Sequence, residues 1–289
     1  MATNVPVDAT ALRERQRTDW NRAAAGWRQR AARGGGDTTL TDRLIAMAGI
    51  RTGQRVLDLA CGVGDPALAI AARVGPAGSV LGLDLTQAML DGARSLAEER
   101  GIGNAEFRRI ESEVELGVAD GSFDAATCRF GLMFMPDPAR GLAAVRRALK
   151  PGGRVAVCTW GPPERVPYFA LLTAIVRRHA DVPPADPEAP GPMRLPTPEV
   201  VGGVLRDAGF AAVETDTLET FGQVADTPAA YWGARTEPTG QFASVLAALP
   251  EETQRAIRED AIRTLGEMFP DGPVRLGGEV IVAAGMNPG

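Results

Sequence analysis

From Gln54 to Trp160 the chain alternates short apolar runs with helix-length amphipathic stretches, and that alternation leaves few folds open to it. The runs RVLDLA (55–60), SVLGLDL (79–85), AEFRRI (105–110), FDAATCRF (123–130) and RVAVCTW (154–160) have strand composition. Between them PALAIAARV (66–74), TQAMLDGARSLAEER (86–100) and PARGLAAVRRALK (138–150) each supply several helical turns. Strands joined through helices run parallel and need cover on both faces, so the pattern predicts an α/β fold with a parallel sheet.

Upstream, residues 8–32 predict a helix rich in arginine and alanine, with Trp20 and Trp27 seven positions apart and therefore on one face. The Gly34, Gly35, Gly36 run breaks it, and Asp37 is placed to cap a second helix over TTLTDRLIAMAGI. Downstream, residues 182–198 are too proline-rich for strand or helix and predict a connection. Order resumes with EVVGGVLRDAGF and the strand-like AAVETDTLET, followed by a largely helical insert and a last apolar strand, VIVAAG.

The net charge of -5, with acids and arginines interspersed, lacks the basic stripe that nucleic acid requires. A small molecule is the expected partner. No stretch of eighteen apolar residues occurs, and MATNVPVDAT has no basic-then-apolar leader, so the expected location is cytoplasmic without membrane insertion. Cys61, Cys128 and Cys158 are odd in number, show no CxxC spacing and each end an apolar run, which predicts buried thiols and no disulfide or metal site. Thiol chemistry at neighbouring strand ends is the competing reading.

The chemistry concentrates in VLDLACGVGDPAL, residues 56–68. An apolar strand ends at Asp58 and Ala60, and Gly62 and Gly64 then turn the chain into a helix, so bare backbone can approach a ligand at that helix's N-terminus. Dinucleotide folds also use such a turn, with Ala67 standing as the third small residue. They have no need, however, of an acid four residues before the first glycine, where Asp58 can meet a cationic ammonium. The bland account of Asp58 is an acid satisfying turn amides. Asp84, twenty residues beyond Gly64, ends the second strand, where a carboxylate accepts both hydroxyls of a ribose and implies an adenosine.

With VLDLACGVG, VLGLDLTQAML, SFDAATCRFGLMF and LKPGGRV in order, the chain resembles class I S-adenosylmethionine-dependent methyltransferases, in particular the ubiquinone and menaquinone biosynthesis C-methyltransferases. The resemblance spans roughly residues 20–160. It implies S-adenosyl-L-methionine as cofactor, with Asp58 and Ala60 near its methionine end, Gly62 and Gly64 beneath it, Asp84 on the ribose, and Leu85 and Met89 against the adenine. Cys128 and Arg129 would lie beside the ligand, Trp27 would close over it, and LKPGG would be the turn before strand five. The family's acid and small residue after strand three correspond here to IESEVEL, which offers Glu111, Ser112 and Glu113 in two registers one residue apart.

The resemblance further implies a Rossmann-like, seven-stranded, mostly parallel sheet with the last strand antiparallel. Residues 1–50 would form an N-terminal helical lid, 51–219 the cofactor-binding core, 220–278 a helical lid insert and 279–289 the last strand. In-line transfer from a sulfonium that is already activated needs alignment and water exclusion more than a metal. The aromatics and methionines Phe130, Met133, Phe134, Met135, Trp160, Phe169, Trp232 and Phe242 suggest a hydrophobic acceptor, a secondary metabolite or quinone-like ring. No residue stands out as catalytic: His179, Tyr168, Glu164 and Tyr231 are the candidates, His179 doubling as a plain surface residue beside Arg177 and Arg178. Two alternatives remain, a cofactor-binding enzyme that does not methylate, such as a cyclase, and an NAD-dependent oxidoreductase. A homodimer is compatible with all of them.

Overall fold

The computed structural model describes residues 8–33, 38–183, 186–236 and 241–289. The glycine run at 34–36 and the proposed cap at Asp37 lie outside them. Helices α1 (Ala9–Arg33) and α2 (Thr38–Met47) precede five strand units: β1 (Arg55–Leu59), β2 (Ser79–Asp84), β3 (Ala105–Arg109), β4 (Phe123–Arg129) and β5 (Leu149–Trp160). Helices α3 (Ala67–Val74), α4 (Gln87–Glu99) and α5 (Pro138–Ala148) alternate with them. After β5 come α6 (Pro167–His179), α7 (Pro198–Asp207), β6 (Ala211–Ala225), α8 (Pro228–Thr236), α9 (Gln241–Ala247), α10 (Glu251–Met268) and β7 (Val274–Met286).

One seven-stranded sheet results, in the order β3-β2-β1-β4-β5-β7-β6, parallel through β5. Only β7 runs against the rest, antiparallel to both β5 and β6, as expected for the last strand. The interior strands are buried on both faces: Val56, Leu57 and Leu59 of β1 and Ala125, Ala126 and Cys128 of β4 are all almost inaccessible, which is why those runs are continuously apolar rather than alternating. Local chemistry sets the helix starts. The Asp137 carboxylate accepts from the Arg140 amide at 3.0 Å ahead of Pro138 in α5, and Thr197 does the same for the Val200 amide at 3.3 Å ahead of Pro198 in α7. LKPGG is less a turn than a broken piece of β5. Leu149 already pairs with Phe123, and the ladder resumes only at Arg154 opposite Ala125.

The last two strands run further than the sequence suggests. Expected to end near 219, β6 reaches Ala225, and β7 begins at Val274 rather than near 279. Their pairing from Glu219 with Glu279 to Ala225 with Val274 continues beyond Trp160, where β5 stops, as a two-stranded ribbon. Strand residues there have no neighbour on the β5 side, so they mix polar residues and glycine and lose the apolar signature of the sheet interior. The ribbon carries Val274 and Leu276 into a second apolar core, shared with Leu172, Ile175 and Val176 of α6, Tyr231 and Trp232 of α8, Leu246 of α9, and Ile257, Ala261 and Leu265 of α10. Thus α6, which the sequence places with the sheet domain, packs with the insert.

Helix α1 sits elsewhere, against α4. Arg13 of α1 donates twice to the buried Glu113, from Nε at 2.8 Å and Nη2 at 2.7 Å. Arg17 reaches Glu111 at 2.9 Å, Arg28 reaches Ser95 at 2.9 Å and also Glu99, and Arg100 donates to the Ala31 carbonyl at 2.6 Å. Helix α1 thus anchors on α4 and the segment after β3, whereas the insert helices build the second core with α6.

Candidate functional site

The parallel strands carry their loops at one end, and the cofactor candidates of β1, β2 and β4 lie there. Asp58 of β1 is completely buried. Its Oδ1 accepts from the Thr127 hydroxyl of β4 at 2.7 Å, while Oδ2 has no partner. Burial pushes this carboxyl up to about 7, opposed by the Thr127 hydrogen bond and helped by the nearby Asp65 carboxylate. An orphaned buried carboxylate oxygen is costly unless something cationic arrives to meet it. The acid does not cap turn amides. That task falls to Asp84, whose Oδ2 accepts from the Gly62 amide at 3.0 Å and Oδ1 from the Thr86 amide at 2.9 Å. Burial raises the Asp84 carboxyl as well, with these amides acting in opposition.

The turn between β1 and α3 is conformationally demanding. Ala60, Gly62 and Gly64 have φ of 58°, 53° and 95°, in the left-handed region. A side chain added at Gly62 would point into open space, with nothing within 4 Å, and one at Gly64 would press on Leu68 at 3.1 Å. Gly62 thus leaves a vacant cradle above bare backbone, and Gly64 permits packing below it. The adjacent strand end, after β4, repeats the strain: Phe130 has φ of 55°. Arg129, half-buried there, forms an ion pair with Asp65 of the glycine turn and leaves its Nε unpartnered. Cys128 is buried, as are Cys61 and Cys158, all three free. Burial raises every one of these thiols, Cys158 to about 12, so they stand as protonated core side chains.

Of the residues expected against the adenine, Met89 is buried in α4 and Leu85 half-buried just after β2. Of the three candidates after β3, Glu113 is taken up by Arg13, while Glu111 is exposed between Arg17 and Arg109. Ser112 bonds locally, its Oγ accepting from the Val114 amide at 3.3 Å. Trp27 is 41% exposed on α1, with the Arg30 guanidinium 5.0 Å from its ring centre. Trp20, on the same face, meets Phe134 edge-on at 5.4 Å.

On the β5 side the aromatics form a column. Phe130 stacks on Trp160 at 4.7 Å and 16°, Trp160 on Tyr168 at 5.7 Å and 20°, and Phe169 meets Trp160 edge-on at 5.4 Å. Met133 and Met135 are core residues, and Trp232 and Phe242 pack against each other within the second core. The four catalytic candidates are not brought together. His179 ends α6, its Nε2 2.9 Å from Asp260 of α10 in a cluster with Arg178 and Arg263. Glu164 is exposed in the short turn before α6. Tyr168 lies in the column, and Tyr231 is fully buried in α8 with its hydroxyl unpartnered. Sequence reading missed Thr127 and Asp65, the partners of Asp58 and Arg129. Asp65 was within reach of inspection, inside CGVGD. Thr127 was not, because only strand pairing brings it to Asp58.

Residues 38–173 match the model of the ubiE/COQ5 methyltransferase family. The ubiquinone/menaquinone biosynthesis C-methyltransferase of Klebsiella pneumoniae is 35% identical over 191 residues, covering 63% of this chain and 75% of that protein. Among solved structures, phosphoethanolamine N-methyltransferase 2 of Haemonchus contortus superposes with a TM-score of 0.56 at 19% identity, over 98% of this chain and 61% of that one. The [4+2]-cyclase SpnF superposes with a TM-score of 0.52 at 25% identity, over 86% and 81%. Shape alone therefore does not separate transferases from cyclases. The sequence relationship does, and it also removes the nicotinamide alternative. The vacant glycine cradle, the orphaned Asp58 oxygen and the carboxylate at Asp84 fit the adenosyl and amino-acid parts of the family's cofactor. The chain belongs to the ubiE/COQ5 methyltransferase family and is an S-adenosyl-L-methionine-dependent methyltransferase.

Proposed function

We propose that the acceptor is a small, hydrophobic aromatic ring of quinol type and that the methyl is delivered to a ring carbon, without a metal. The observation that carries this reading is the column of Phe130, Trp160, Tyr168 and Phe169, which begins one residue from Arg129 and builds an aromatic wall beside the proposed cofactor residues, with Phe130 and Phe169 its more accessible rings. The Klebsiella relative is named for methylation at carbon in quinone biosynthesis. When bound, S-adenosyl-L-methionine supplies a methyl on a positively charged sulfur, so the acceptor needs alignment and a dry site more than activation by a metal.

The chain's own residues then divide the work. Asp58 holds the ammonium of the methionine part. Asp84, through its remaining lone pairs, holds the ribose, with Ala60, Gly62 and Gly64 approaching by backbone, and Leu85, Met89 and one of Glu111 or Ser112 surround the adenine. Cys128 and Arg129 wall the site from β4. Glu113 acts through Arg13, fixing α1 and with it Trp27 as cover. His179, bound into the α6–α10 ion cluster, belongs to the scaffold of the insert. A hydroquinone ring carbon is a nucleophile and the corresponding quinone carbon is not. Release of S-adenosylhomocysteine should therefore require a reduced prenylated naphthoquinol and should not occur with its oxidised form. Equal turnover of both forms, or turnover of neither beside turnover of an aliphatic amine, would remove the quinol reading. A non-methylating cyclase has no feature of this site in its favour.

A further inference from the structure

We infer that Arg235 and Tyr231, one turn apart on α8, form an oxyanion-recognition pair that selects acceptors bearing an acidic oxygen, a carboxylate or an ionising phenol, on the aromatic ring. The inference rests on the proposed aromatic acceptor.

Both side chains lie outside the matched residues 38–173, and both carry unmet hydrogen-bonding capacity. Tyr231 is fully buried, and its hydroxyl has no partner. The Arg235 guanidinium lies 4.0 Å above the Tyr168 ring and 5.6 Å from that of Phe169. Its Nε is buried and unpartnered, its Nη2 reaches only the Tyr168 carbonyl at 3.5 Å, and among the described residues no carboxylate forms an ion pair with it. Positions four apart share a helix face, so these two donors look the same way. That face meets Tyr168, and Tyr168 continues through Trp160 and Phe130 to Arg129 at the cofactor end.

Packing for stability alone disfavours leaving the Tyr231 hydroxyl and the Arg235 Nε both buried without a partner on one helix face, because each is favoured only when satisfied. An aromatic acceptor at this end of the column lies against Phe169, the more accessible of the two rings, and presents its ring oxygen to Arg235 and Tyr231. A neutral ring leaves both donors unmet, which is how the pair discriminates. Held as an anion, a ring oxygen also feeds electron density to the neighbouring carbons, in keeping with transfer to carbon.

The test uses the full chain saturated with S-adenosylhomocysteine and four probes: 2-naphthoate, its methyl ester, 2-naphthol and its methyl ether. Wild-type protein should bind an acid-oxygen probe about 10- to 100-fold more tightly than its methylated counterpart. Arg235→Gln should erase that preference while leaving the affinity for the methylated probes unchanged. Preference within the naphthoate pair assigns a carboxylate, and within the naphthol pair a phenolic oxygen. Tyr231→Phe should weaken the preferred probe yet leave the melting temperature without ligand unchanged or higher, since it removes an unmet polar group. Lack of any preference, or one that survives Arg235→Gln, overturns the inference. S-adenosylhomocysteine binding, measured first, keeps the two levels apart: if it is absent, the proposed site fails, and if it is present without preference, only the oxyanion pair fails.

Discussion

At the scale of single residues, the proposed cofactor site rests on two carboxylates with different tasks. Asp58 is protonated at modest pH because burial raises it to about 7. The folded chain thus retains a proton that the unfolded chain gives up near pH 4. Stability without cofactor should fall, by a few kcal/mol, as pH rises from about 4 to about 7. Cofactor binding should run the other way. The ammonium needs the ionised carboxylate, so affinity for S-adenosylhomocysteine should rise through about pH 7, and calorimetry in buffers of different ionisation enthalpy should find proton release below it. Asp58→Asn should flatten that profile. An affinity constant from pH 5.5 to 8 in wild-type protein would separate Asp58 from the ammonium. Asp84→Ala should weaken the cofactor by about 2 to 4 kcal/mol, since it removes charge-assisted hydrogen bonds to the ribose and frees the Gly62 amide. A folded Asp84→Ala protein with unchanged affinity would take Asp84 out of the site. These two acids were legible because each ends an apolar strand at a fixed distance from Gly62. Thr127, the partner of Asp58, was not, since nothing along the chain marks a contact made 69 positions away.

Among elements, α1 is the part whose role can be read most directly from its contacts. Glu113 binds Arg13 through both oxygens, with only 4% of its side chain exposed. Glu113→Gln leaves the guanidinium without its counter-charge and should cost about 2 to 3 kcal/mol in denaturant unfolding. It should also lower hydrogen-exchange protection of residues 9–33 while sparing β1 and β4. Added cofactor should raise protection of those same α1 amides if the helix closes over the ligand. Protection of α1 that is indifferent both to cofactor and to Glu113→Gln would make it ordinary packing. Elements that obey one simple periodicity were legible: the five parallel strands and α3 to α5 lie within a residue or two of their expected ends, apart from the start of β5. The β6–β7 ribbon was not, because residues such as Thr220, Gly277 and Gly278 belong to strands with no sheet neighbour on one side. Nor was the membership of α6 in the second core, as its apolar stripe of Leu172, Ile175 and Val176 serves a partner more than 50 residues downstream.

For the molecule as a whole, the sheet and the proposed cofactor end follow from local rules repeated along residues 38–173, whereas the second apolar core, at the proposed acceptor end, is assembled from α6, α8, α9, α10 and the ribbon by long-range packing. Among the described residues no helix is long and apolar enough to cross a membrane. What most directly tests the account is where the methyl lands. The full chain, incubated with S-adenosyl-L-methionine carrying a carbon-13 methyl and a reduced prenylated naphthoquinol, should yield a product whose labelled carbon resonates as a methyl on a ring carbon. A labelled methyl ether would contradict carbon transfer, and an unlabelled quinol beside a protein that binds the cofactor would contradict the quinol acceptor itself.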